Sequence, residues 1–213
     1  MRIGEELKST HRVPNVASIS CANRYALVAG FDDAHISLWA SLKKHEARLT
    51  IFVTLEDLKR DPVIIAELSQ AHCIGMSTTA GVSERWNPVR ARVQATAVEY
   101  LKVVGRNPLW YRGMDGHRHP AALLAASRLG MRIAFWSTYC EATAVDEAVG
   151  NLKADFQETR GGNIAIMRKG KGKELEGHIV PELVTVVNEC GSSGIKLDVL
   201  DVVVREDHPF VLD

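Results

Sequence analysis

The sequence predicts an α/β protein built on a mostly parallel sheet, closed or nearly closed into a (β/α) barrel. Two observations carry that prediction. Short apolar runs of strand length alternate with helix-length runs about seven times along the chain, with no repeat or linker between them. The first apolar run also delivers two adjacent carboxylates, Asp32 and Asp33, at its end. An apolar strand with acids at its carboxyl end is the usual construction of an α/β active site. With 213 residues, 46% apolar and 24% charged, the chain suits a single domain with a substantial core, residues 1–213, in which 1–20 form an irregular polar lead-in.

The elements come in order. Residues 24–30 form a strand because Tyr25 to Ala29 is a continuous apolar run. Residues 36–45 form a helix, with Leu38 and Leu42 one turn apart on one face. Residues 49–53 are a second buried strand, and 62–71 a helix with Pro62 in its first turn and Val63, Ile64 and Leu68 spaced for one face. Residues 72–77 are a short strand. The longest helix covers 88–104, with Asn87 as its cap, Pro88 at its first position and Gly105 ending it. Residues 109–112 form a strand, 120–129 a helix ending at Gly130, and 131–137 a strand. A helix over 142–149, a strand over 163–167, a helix within 175–190 that starts as late as Pro181, and a strand over 195–204 complete the chain.

Composition excludes several classes. Acidic and basic residues number 26 each, so bulk charge points neither to nucleic acid nor to a membrane surface. No apolar run has the length of a membrane span. The first 20 residues lack the apolar core of a signal peptide, and the compartment stays open. No Asn-x-Ser/Thr sequon occurs, which argues against N-glycosylation. Cys21, Cys73, Cys140 and Cys190 show no metal-type spacing. Cys73 and Cys140 read as buried thiols in strands, and a disulfide between Cys21 and Cys190 is an open alternative.

Two neighbouring Asp cannot both stand unpaired in a dry site. One needs a cation, and the other can then serve as a base. The plainer alternative makes one the cap of the next helix and leaves the other in solvent.

The motifs carried by successive strand ends resemble those of the polysaccharide deacetylase family, the NodB-homology domains of carbohydrate esterase family 4. Gly30-Phe31-Asp32-Asp33-Ala34 is similar to that family's first motif, T-F-D-D-G. His72-Cys73-Ile74-Gly75 matches the H-x-I-G that opens the second motif, and Tyr111-Arg112-Gly113-Met114-Asp115-Gly116 matches the third in its Arg and final Gly. The resemblance runs from about Arg24 to about Val204 and implies an irregular (β/α)7 barrel.

It also implies roles. Asp32 would be the general base, Asp33 a ligand of a divalent metal, commonly zinc, and Arg112 the partner that orients Asp32. The two remaining metal ligands of the family are histidines; here those positions hold Ser77 and Gly81, a neutral hydroxyl and no side chain. Asp33 alone would hold an ion weakly, so no cofactor is expected. Asp115, Trp136 and Arg168 fall at substrate-binding positions. The strand-ending His-Asp of the fifth motif, which carries the general acid, is Arg168-Lys169, and a guanidinium cannot release a proton near neutral pH. The segment from Arg168 to Lys173 reads as a solvated cationic loop. Trp39, Trp86, Trp110 and Tyr139 are candidate sugar-stacking aromatics, most of them more simply core residues.

The leading expectation is a deacetylase-like protein with little or no deacetylase activity that retains binding to an N-acetylated glycan of the chitin or peptidoglycan type; the resemblance implies an extracellular or cell-wall setting. One alternative is an active enzyme whose metal site is rebuilt from His35, His72, His117 or His119. His72 reads as structural, and 117–120 as a solvated loop opening a helix. The other alternative is a structural cell-wall protein.

Overall fold

A computed structural model of the chain describes residues 24–30, 48, 50–81, 83–113, 118–134, 138–140, 164–167 and 196–198. Eight strands and four helices lie among them, in the order β1 (Arg24–Gly30), β2 (Thr50–Val53), α1 (Leu55–Arg60), α2 (Pro62–Ala71), β3 (Cys73–Thr78), α3 (Trp86–Val104), β4 (Trp110–Gly113), α4 (Pro120–Arg128), β5 (Arg132–Ile133), β6 (Thr138–Cys140), β7 (Ile164–Met167) and β8 (Lys196–Asp198). Every strand pairing is parallel. The sheet order is β5-β4-β3-β2-β1-β7-β6, with β8 also paired to β1. The predicted parallel α/β class is therefore the observed one. The predicted helices over 36–45, 142–149 and 175–190 lie outside the described residues.

Chain connectivity forces this sheet to curl. From β5 to β6 the path crosses six inter-strand gaps. Laid flat, they would separate the two by about 29 Å at ~4.8 Å per gap. Only residues 134–137 join Ile133 to Thr138. Fully extended, that connection reaches about 18 Å. The two ends of the sheet therefore bend toward one another.

β2 and β3 are buried along their whole length, as strands covered on both faces must be. Successive side chains alternate between faces. Phe52, Gly75, Ser77, Trp110 and Arg112 thus share one face, and Ile51, Val53, Ile74, Met76, Thr78 and Tyr111 the other. The second face meets the helices. α3 turns Val89, Val93, Thr96 and Tyr100 inward, and the Tyr100 hydroxyl donates to the Ile74 carbonyl at 2.6 Å, pinning the helix to β3. α4 buries Ala121, Ala122, Ala125 and Ala126, a small-residue face that packs against α3. Among the described residues no helix is long and apolar enough to cross a membrane.

Gly105 and Gly130, expected to end helices, both adopt the left-handed conformation, with φ of 77° and 78°. Three expectations are corrected. α1 is an element that apolar periodicity does not predict. Its signal is Thr54-x-x-Asp57, a reciprocal cap in which the Thr54 hydroxyl accepts from the Asp57 N–H at 3.2 Å and Asp57 Oδ2 accepts from the Thr54 N–H at 2.8 Å. α3 begins at Trp86 with Arg85 as its cap, rather than after Asn87. Pro88 is tolerated there because the N–H groups of a first turn have no intrahelical acceptor. The strand expected over 131–137 is described only at Arg132–Ile133, and Cys140, read as lying in a strand, ends the separate short strand β6.

Candidate functional site

The carboxyl ends of β3 and β4 bring together the described part of the site. Ser77 pairs in register with Arg112, one step before both strands finish. Neighbouring parallel strands project such residues to the same face. Arg112 is 9% exposed, and its guanidinium carbon lies 4.9 Å from the centre of the Phe52 ring, close enough for a cation–π contact. The Phe52 ring in turn covers Gly75, where a Cβ would lie 2.5 Å from Phe52 Cε1. Gly75 is therefore glycine because an aromatic ring occupies the space of its side chain. Ser77 is 3% exposed, and its hydroxyl has no hydrogen-bond partner among the described residues. Motif reading misses Phe52 as part of this site. Only strand register unites it with Gly75 and Arg112, and a lone sequence does not print register.

On the opposite face, the Thr78 hydroxyl and the Tyr111 phenol lie 2.7 Å apart in the core. Burial raises the Tyr111 pKa above that of an exposed phenol, keeping it neutral. This pair belongs to the sheet–helix interface.

The segment from β3 to α3 is held by a chain of polar contacts. Glu84 Oε1 accepts from the Gly81 N–H at 3.2 Å, and Oε2 pairs with Arg92 Nη1 of α3 at 3.1 Å. Arg92 also donates to the Thr79 carbonyl. The Gly81 hydrogen bond, more than the Arg92 charge, holds the Glu84 carboxyl below its usual range, against a smaller opposing effect of burial. The Glu84 carbonyl lies 3.0 Å from His119 Nε2, and His119 Nδ1 accepts from the Ala121 N–H at 3.2 Å as the N-cap of α4. Those partners assign the Nε2–H tautomer. His119, expected in a solvated loop, is thus a buried structural imidazole with both nitrogens engaged.

The other candidates occupy different parts of the fold. His72 sits at the start of β3, the end of the strand away from Ser77, where burial and then the Arg48 charge lower its pKa. Trp110 is fully buried, with Arg132 5.7 Å from its ring centre, so it presents no face to a sugar. Trp86 is 38% exposed at the first position of α3. Asp32, Asp33, Asp115, Trp136 and Arg168 lie outside the described residues, as do His35, His117 and Trp39.

The divalent ion implied by the motif resemblance can be set against these residues. Ser77 offers a neutral oxygen and Gly81 no side chain, while His72 is at the wrong strand end and His119 has no free nitrogen. No group of three His, Cys, Asp or Glu that could hold a metal occurs among the described residues. The described residues by themselves do not supply a zinc-type donor set; Asp33, His35 and His117 lie outside them.

No protein-family model and no curated protein matches the sequence. Solved structures do. One is the Bc1960 peptidoglycan N-acetylglucosamine deacetylase, with a TM-score of 0.74 at 17% identity over 86% of this chain and 90% of that one. Another is a family 4 carbohydrate esterase pseudoenzyme from Bacillus anthracis, with a TM-score of 0.70 at 14% identity over 85% of this chain. The present chain spans only 65% of that pseudoenzyme's length. A mutant of the same pseudoenzyme, described as having restored enzymatic activity, matches at 15% identity over 85% of this chain and 67% of that one, with a TM-score of 0.70. Identities this low speak to architecture, and on architecture they agree: the chain has the NodB-homology fold of the family 4, polysaccharide-deacetylase-like carbohydrate esterases.

Proposed function

We propose that this chain is a polysaccharide-deacetylase-like protein that has lost the nitrogen ligands of its metal and its general acid. It has little or no deacetylase activity and retains binding to an N-acetylated glycan at the carboxyl end of its sheet. The sheet closes into a (β/α)7 barrel around that site. The observation that carries the reading is Ser77: the H-x-I-G register assigns this position to a metal-binding histidine, and a buried hydroxyl without a described hydrogen-bond partner stands there. Register supports the rest. The last described pair of β1 joins Gly30 to Phe52, which pairs with Gly75. Asp32 follows Gly30 by two residues in the sequence, and the motif resemblance pairs it with Arg112. Arg112 would then keep Asp32 ionised and oriented.

Such a site is poor at hydrolysis. A general acid contributes about 10²–10⁴-fold. Polarisation of the carbonyl by a metal contributes several kcal/mol more. Closure of the barrel draws support from the curled sheet and from Phe52, Trp110 and Arg112, which are buried on the face opposite the helices.

The test uses the full chain and the double variant S77H/G81H. A Cβ at Gly81 would meet only Glu84, at 3.6 Å and 3.7 Å, in ordinary contact, so this backbone position accepts the start of a side chain. The native chain is expected to hold no stoichiometric zinc and to release negligible acetate from N-acetylglucosamine oligomers. The variant is expected to gain zinc dependent on Asp33. Stoichiometric zinc in the native chain, abolished by Asp33→Ala, would overturn the reading in favour of a rearranged, active deacetylase.

A further inference from the structure

We infer that Trp86 forms an outer subsite of the strand-end cleft, an aromatic platform on which a β-linked pyranose chain with equatorial substituents stacks beyond the sugar nearest Ser77 and Arg112. The inference rests on the glycan-binding reading and adds to it the place and the chemistry of a second contact.

Helix periodicity sets the direction. Trp86, Val93 and Tyr100 succeed one another at intervals of seven residues, so they lie on one stripe of α3. Val93 and Tyr100 are buried against the sheet, and the Tyr100 hydroxyl reaches the Ile74 carbonyl of β3. Trp86 belongs to this inward stripe and yet is exposed.

Length explains why. Fourteen residues of α3 separate Trp86 from Tyr100, a rise of about 21 Å. β3 continues only four residues beyond Ile74, about 13 Å. The helix therefore outruns the strand, and its sheet-facing stripe ends above the carboxyl end of the sheet, the end that holds Ser77 and Arg112. The first turn of α3, with Trp86, therefore stands past the end of β3, at the end of the sheet that holds Ser77 and Arg112.

The backbone leading into the platform is held in place. Two residues earlier, Glu84 is fixed through its carboxylate by Gly81 and Arg92 and through its carbonyl by His119. Little conformational freedom is then lost when a ligand docks. Asn87 and Pro88 beside it are also exposed, giving an amide and a second apolar face. An indole presents a flat apolar surface with one N–H at its rim. That surface matches the axial C–H face of a pyranose whose hydroxyl and amide groups are equatorial. It offers little to a small acyl group or to a peptide carboxylate.

The experiment is calorimetric titration of the full chain, W86A and W86F with β-1,4-linked N-acetylglucosamine oligomers from dimer to hexamer. In the native chain affinity should rise with oligomer length. In W86A the hexamer should bind about tenfold more weakly while the dimer is unchanged, the size of one lost aromatic contact. W86F should retain most of the hexamer affinity. A merely structural role would weaken dimer and hexamer alike. Native length dependence preserved in W86A would overturn the subsite and leave the glycan reading standing. A native chain that binds none of the oligomers would overturn both.

Discussion

At the scale of single residues, the Phe52–Gly75–Arg112 stack makes the sharpest statement about packing. A methyl group on Gly75 would collide with the Phe52 ring at 2.5 Å and 2.7 Å, and the ring belongs to a buried strand that cannot simply move aside. Gly75→Ala should therefore destabilise the fold by about 1–3 kcal/mol, the usual effect of overpacking. It should also shift Arg112, which lies over the same ring. Urea denaturation measures the first effect, and an unchanged midpoint would show that Phe52 has room to yield. His72 gives a pH signature. Its folded-state pKa lies below the ordinary 6.5, mainly through burial. In the interval between those values the unfolded chain takes a proton that the folded chain refuses. Stability should thus be fully present above about pH 6.5 and decline as the pH falls. His72→Gln should flatten that decline; a native stability profile with no slope on the acid side would contradict it.

Elements show what the sequence could and could not reveal. Strands β1 to β4 and helices α2 to α4 were legible because their apolar periods are strong and Gly or Pro marks several of their ends. α1 was not, because six residues are too few for a period to emerge, and its marker is the reciprocal Thr54–Asp57 cap. That cap should govern the helix: Thr54→Ala removes the acceptor for the Asp57 N–H and the hydroxyl that donates to Asp57 Oδ2 at 2.7 Å. A loss of about 1 kcal/mol is expected. Glu56→Ala, in the same first turn with no cap bond, should change stability far less, and equal losses from the two would rule out the cap as the cause. At the site, motif order located Ser77 and Arg112 at neighbouring strand ends. It could not reveal that His119 is consumed by Ala121 and Glu84, since that depends on two segments meeting 35 residues apart. Nor could it show that Trp110 is core while Trp86 is exposed, because burial depends on where a helix outruns a strand.

At the scale of the whole molecule the deciding feature is closure. β5 and β6 stand at opposite ends of the sheet path, yet four residues join them. In an open sheet each would be an edge, with half of its backbone groups unpaired and available to other chains. In a closed barrel the two become successive parts of one staggered seam, pairing with β4 on one side and β7 on the other, as they already do separately. The two arrangements differ in hydrogen exchange. Closure predicts that the amides of Arg132, Ile133 and Thr138 to Cys140 exchange nearly as slowly as those of β3, which lies between two partners. An open edge predicts exchange orders of magnitude faster at β5 and β6 than at β3. The outcome also bears on the site. Ser77 and Arg112 occupy the face opposite the helices, so a closed seam would keep bulk water from beneath them and confine access to the strand-end mouth. Fast exchange at both strands would leave that face approachable from the side, and a glycan would then have no single mouth to enter.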